Sequence, residues 1–147
     1  MKTVLICIGN PDGGDDAIGP YIAEQLQTMQ TKDLIVLNAE TVPENFTGVI
    51  KQHQPDHLII IDAVDMGLQP GEIRIIPKEK IGSMHISTHG IPLSVFINYL
   101  EQYIPLILFM GIQPKTMMGN INAIVKKSGD QLVNRIKNND YRSVPFL

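Results

Sequence analysis

Three segments of the chain carry residue types that hold cations or move protons. The first is Gly9-Asn-Pro-Asp-Gly-Gly-Asp-Asp-Ala-Ile-Gly-Pro20, with carboxylates at Asp12, Asp15 and Asp16. The second is Asp62-Ala-Val-Asp65, directly behind the apolar run Leu58-Ile-Ile-Ile61. The third is Ser87-Thr-His89-Gly-Ile-Pro-Leu93. A carboxylate at the end of a central strand is costly unless it is paired, hydrogen-bonded or bound to metal. A structural Asp accepting loop amides fits Asp62 equally well. Asp15 and Asp16, just before Ala17, supply one helix N-cap and one spare carboxylate, so simple capping explains that loop taken alone. A lone His ahead of a helix is ordinarily a surface residue or a cap. His85 lies four residues earlier, a spacing that a loop or strand does not place on one face. His53 and His57 precede the apolar run, at its opposite end, and receive no role. If the three segments meet at one rim, Asp16, Asp62 and His89 form a three-ligand set. Two carboxylates and one imidazole leave positions open on a divalent ion such as zinc, nickel or non-haem iron.

Other chemistries fit less well. The first loop is glycine-rich between a strand and a helix, but it matches neither G-x-G-x-x-G nor the P-loop. Its carboxylates would repel a phosphate at the helix N-terminus. This argues against a nucleotide-binding domain. Cys7, the one cysteine, excludes an internal disulfide and any multi-Cys cluster. Its place inside an apolar run reads as packing rather than nucleophile. No G-x-S-x-G elbow is present. Met1–Ile112 hold 6 Lys/Arg against 13 Asp/Glu, and Gln113–Leu147 hold 6 against 2. An acidic body argues against nucleic acid as a partner, and the basic stretch reads as a solvated helix face. The apolar runs are far shorter than the roughly 20 residues that span a bilayer. Gly9, Asn10 and Pro11 interrupt the N-terminus too early for a signal peptide. The expectation is a soluble cytoplasmic protein with no membrane partner.

These residues need elements to position them. Thr3–Ile8, Leu34–Leu37, Leu58–Ile61 and Leu106–Met110 read as strands buried on both faces. Gly71–Ile76 reads as a further strand, too close behind Asp62 for a helical crossover and so free to run antiparallel at an edge. Helical periodicity marks Ala17–Met29, Pro43 to about Gln52, Pro92–Tyr103 and Asn122–Lys137. The order β-α-β-α-β-β-α-β-α predicts an α/β fold: one three-layer α/β/α domain over residues 1–147 with a twisted, mostly parallel five-stranded sheet. Residues 138–147 lack a clear period and are expected to be a flexible tail that frays or docks. In such sheets function gathers beyond the carboxyl ends of the strands. The loops after Ile8, Leu37, Ile61 and Met110 are therefore the ones to inspect.

Taken in order, the motifs resemble the [NiFe]-hydrogenase maturation endopeptidases, closest to the branch that processes the hydrogenase 3 (formate-hydrogenlyase type) large subunit. The resembling residues are Cys7-Ile-Gly-Asn10, Gly14-Asp15-Asp16 with Gly19-Pro20, and Pro43-Glu-Asn45. The longest block is Ile61-Asp62-Ala-Val-Asp65-Met-Gly-Leu-Gln-Pro-Gly-Glu-Ile-Arg-Ile-Ile76. Thr88-His89, Pro92-Leu93 and Phe109-Met-Gly-Ile-Gln-Pro114 complete the set.

The resemblance implies a protease that cuts a C-terminal extension from a hydrogenase large-subunit precursor after nickel insertion. It also implies that Asp16, Asp62 and His89 serve as the nickel-binding and catalytic residues. The precursor would supply the nickel, and zinc or cadmium could occupy the same site. The precursor is the expected partner, and a monomer is expected. Asn38-Ala-Glu-Thr41 departs from the family, which usually has an Asp at position 38. A non-catalytic nickel- or precursor-binding maturation factor is the alternative, since its site would look identical in sequence. Met66, Leu68, Ile86 and Ile91, in the loops beside Asp62 and His89, are expected among the exposed apolar residues of a precursor-binding surface.

Overall fold

The computed structural model describes residues 1–82, 84 and 92–147. His89, and with it Ile86 and Ile91, lies outside the described residues. Continuous apolar sequence builds a sheet covered on both sides. Its strands are β1 (Thr3–Ile8), β2 (Leu34–Glu40), β3 (His57–Ala63), β4 (Ile73–Ile75) and β5 (Leu106–Ile112). They lie in the order β2-β1-β3-β5-β4. All pairs are parallel except β4 with β5, which is antiparallel, as the short connection behind Asp62 requires.

The helices are α1 (Ile18–Leu26), α2 (Thr47–His53), α3 (Lys78–Ile81), α4 (Leu93–Leu100) and α5 (Ala123–Lys137). Strand alternation divides the core. Leu5, Cys7, Ile59 and Ile61 pack with α1 and α5 on one face. Val4, Ile6, Leu58 and Ile60 pack with α2 and α4 on the other. This is the expected three-layer arrangement. α5 starts at Asn122, whose side-chain oxygen accepts from Ile124 N at 2.9 Å, and Lys137 closes its basic last turn.

Several boundaries move. Asp62 does not end its strand but lies within it, paired opposite Gly111. α1 begins only after a 3-10 turn at Gly14–Ala17, which places Pro20 in its first turn. The short α3 was not expected, because four residues are too few to show a helical period.

The segment expected to be a flexible tail is docked. Tyr141 and Val144 are buried. Tyr141 Oη lies 2.9 Å from His57 Nδ1. Ile75 N donates to Pro145 O, and Leu147 N donates to Ile75 O, each at 2.9 Å. The segment thus extends the sheet edge beside β4. Its isolated apolar anchors are too sparse for a periodic signal.

Two glycines set the path of the chain out of β1. A Cβ on Gly9 would stand 1.9 Å from Asp16 O, and one on Gly19 would stand 2.1 Å from Ile8 O. The loop therefore folds tightly over the strand end only because both positions lack side chains. Gly9→Ala and Gly19→Ala should each destabilise by about 1–3 kcal/mol or more. Gly48→Ala, in α2 with nothing within 4 Å, should be neutral or stabilise by about 0.4–1 kcal/mol. Urea melts of the three variants check this ordering.

Candidate functional site

β1 lies between β2 and β3. The chain leaves β1 toward β2 and leaves β3 toward β5, so a crevice opens at the carboxyl ends of β1 and β3. The β1–β3 ladder ends at Cys7 and Ile61, one residue before Asp62. The 3-10 turn that follows β1 brings Asp16 to the same end.

Asp62 is fully buried, and neither of its carboxylate oxygens has a hydrogen-bond partner of good geometry among the described residues. Burial holds its pKa well above the usual carboxylate range. The nearby charge of Asp16 raises it further, and the Ala63 amide opposes the shift only weakly. Asp16 is 5 % exposed and accepts from Asn10 N at 2.9 Å. The structure therefore sets two carboxylates against each other at the crevice, one of them without compensating donors. This arrangement suits a cation or a shared proton. Among the described residues, no group of three His, Cys, Asp or Glu side chains stands together to hold a metal. The third expected ligand, His89, lies outside them. Cys7 is buried, with its thiol pKa pushed up by burial first and by Asp62 second. A thiol held protonated in this way is a packing residue.

Neither Asp15 nor Asp16 caps a helix, because the turn and α1 both start without a side-chain cap. Asp15 has a different task. Fully buried, it accepts from Lys115 N at 2.7 Å and Thr116 N at 2.9 Å through one oxygen, and from Asn122 N at 2.6 Å through the other. Three backbone amides satisfy the charge and tie the first loop to the loop beyond β5. Gln113 does the same for the loop after β3. Its Oε1 accepts from Met66 N at 2.6 Å and Leu68 N at 3.3 Å, and its Nε2 donates to Asp65 Oδ1 at 3.1 Å. Asp65 also accepts from Gly67 N, so it shapes this loop. Met66 and Leu68 are half-buried. Sequence reasoning missed both Asp15 and Gln113 as positioning residues. The Asp doublet and the Gly111-Ile-Gln-Pro114 block were the available signals.

A cavity of about 520 Å³ opens elsewhere, beside Met1, Thr3, Leu34 and Tyr141 at the amino ends of the strands. It contains neither Asp16 nor Asp62.

The raised pKa of Asp62 fixes a pH dependence. A group whose folded pKa lies above its unfolded value costs the native state nothing below the unfolded pKa, near 4. It costs progressively more as pH rises toward the folded value. Asp62→Asn should therefore raise the melting temperature of the metal-free protein at pH 8, by about 2–4 °C for each kcal/mol relieved. The gain should shrink toward zero near pH 4. Calorimetric scans across that range check it; a gain independent of pH would contradict the assignment.

Residues 20–139 match the sequence model of the hydrogenase maturation protease family. The hydrogenase 3 maturation protease of Escherichia coli K12 is 42% identical over 115 residues, covering 78% of this chain and 74% of its own. The solution structure of the endopeptidase HycI from Escherichia coli superposes with a TM-score of 0.90 at 34% identity, covering 100% of this chain and 97% of that one. The [NiFe] hydrogenase maturation protease HycI from Thermococcus kodakarensis gives a TM-score of 0.85 at 29% identity, covering 97% and 93%. The family model takes in Asp62 and the strands from β2 onward but begins after Asp16, and on it and the 42% identity the chain belongs to the hydrogenase maturation proteases and is an endopeptidase of hydrogenase maturation.

Proposed function

We propose that this endopeptidase removes a C-terminal extension from a [NiFe]-hydrogenase large-subunit precursor after nickel insertion, reading the nickel through Asp16, Asp62 and His89. The observation that carries this reading is the buried Asp62 carboxylate, which lacks a well-formed hydrogen bond among the described residues and lies beside Asp16. Two like charges in a low-dielectric crevice become favourable when a cation joins them. Carboxylate oxygens and a neutral imidazole suit a divalent ion of this kind, and no thiolate is available to close the site permanently.

Nickel enters as part of the substrate, held by the precursor's own thiolates. It would supply Lewis-acid polarisation of the scissile carbonyl or of a water. Asp16 and Asp62 fill open coordination positions and so dock the adjacent peptide, which makes the cut conditional on metal loading. A carboxylate left free of the ion acts as general base. Asp15 and Gln113 keep the loops on both sides of the crevice in register. The protein acts as a monomer in the cytoplasm, with the precursor as its partner. No described helix is long and apolar enough to cross a membrane.

The test is a processing assay on purified large-subunit precursor with mass detection of the released peptide. Nickel-loaded precursor should yield one peptide, and nickel-free precursor should be cut at a small fraction of that rate. Equal rates would exclude nickel as the recognition element. Asp62→Ala and His89→Ala should each lower the rate by about 10²-fold or more while circular dichroism stays native. A fully active His89→Ala variant would remove His89 from the site.

A further inference from the structure

A trough lies beside the first loop and α1. Two adjoining hollows of about 440 and 450 Å³ share Pro11, Ala17, Tyr21 and Ile121. One continues along α1 to Glu24 and Asn38. The other passes Gly14 and Gly119 and reaches Lys126. Neither hollow is lined by Asp16 or Asp62, but Gly14 and Ala17 stand two residues and one residue from Asp16 in the chain, so the trough borders the loop that carries it. Tyr21 stands where the hollows join, and its ring is fixed from two sides. Its hydroxyl donates to Asp130 Oδ1 on α5 at 2.6 Å, and Lys126 Nζ lies 5.5 Å from the ring centroid. The bond to Asp130 pushes the phenol pKa up to about 12, which keeps the donor proton in place at physiological pH. Beside Gly14, the backbone of Met117 and Met118 forms an edge, and these side chains are 41% and 80% exposed. Exposed methionines adapt to varied apolar partners.

We propose that Tyr21 is a specificity-determining residue of the processing reaction. Its fixed ring walls a trough that takes an extended segment of the large-subunit precursor and receives an apolar side chain close to the cleaved bond. This rests on the proteolytic reading above. A peptide bond presented to Asp16 must have chain on both sides, and the trough is lined by Ala17 and Gly14, next to Asp16 in the chain. Glu24 lies at one end and the Lys126 ammonium covers one face of the Tyr21 ring, which leaves the rest of the ring, with Pro11, Ala17 and Ile121, for an apolar group. A rigid aromatic wall binds such a group with little ordering cost. Glu24 and the carboxylates of the first loop disfavour an anionic small molecule.

Steady-state processing of nickel-loaded precursor tests this. Tyr21→Ala should raise KM about tenfold with kcat within about a factor of three, the pattern of lost substrate contact. Tyr21→Phe keeps the ring and should stay within a few-fold of wild type. If Tyr21→Ala lowers the melting temperature, Tyr21→Leu keeps apolar bulk against the core and replaces it. Apolar precursor residues near the cut are then changed to Ala one at a time. One of these changes should raise KM with the wild-type enzyme and add nothing with Tyr21→Ala, a coupled pair in a double-mutant cycle. An unchanged KM in Tyr21→Ala, or additive effects at every precursor position, would overturn the trough while leaving the proteolytic reading intact. Failure of the wild-type enzyme to cut any precursor would overturn both.

Discussion

Burying a carboxylate without hydrogen-bond donors is among the more costly things a small domain can do. Asp62, within β3 near its carboxyl end, is in that position among the described residues. An asparagine or an apolar residue there would serve the sheet better, so stability alone gives no reason for an acid at this place. The neighbouring charge of Asp16 makes the arrangement worse still. Under the function proposed above, that cost keeps a cation or proton site open until the substrate arrives. Much of the surrounding structure is arranged so that this unfavourable pair persists.

The supporting parts are mostly backbone devices. Gly9 and Gly19 let the chain fold back over the end of β1, which carries Asp16 to the crevice. Asp15 bonds three amides of the loop after β5, and Gln113 bonds two amides of the loop after β3. Gly111 stands opposite Asp62 in the ladder, where a Cβ would press on Val64 and Ile76. The two acidic neighbours thus divide the work. Asp15 spends its charge on satisfied hydrogen bonds and holds the loop rigid, while Asp16 remains beside Asp62. The docked segment joins Tyr141 to His57 at the amino end of β3 and pairs its last residues with Ile75, which stabilises the edge beside β4.

Strand identities, the parallel order and the antiparallel edge were legible because continuous apolar runs bounded by Gly and Pro specify buried strands directly. Asp16 and Asp62 were legible as strand-end acids. Their mutual repulsion was not, because residues distant in the chain meet only through the β1–β3 ladder. The role of Asp15 was read as capping, since a helix start with an Asp doublet favours that reading locally. Its true partners lie about a hundred residues away, beyond any local pattern. The docking of the last residues escaped for a related reason: Tyr141 and Val144 anchor it singly, with no repeat. His89 entered as a histidine ahead of the Pro92 helix, before any family motif, and its proposed role rests on chemistry and on that motif.

Nickel K-edge X-ray absorption on a freeze-quenched mixture of nickel-loaded precursor and protein tests the central claim most directly. The proposed account predicts additional oxygen or nitrogen ligands at nickel on mixing with the wild-type protein. It predicts that part of this gain disappears when Asp62→Asn replaces the wild type. A nickel spectrum identical to that of the precursor alone, under conditions where the two proteins are bound, would contradict it.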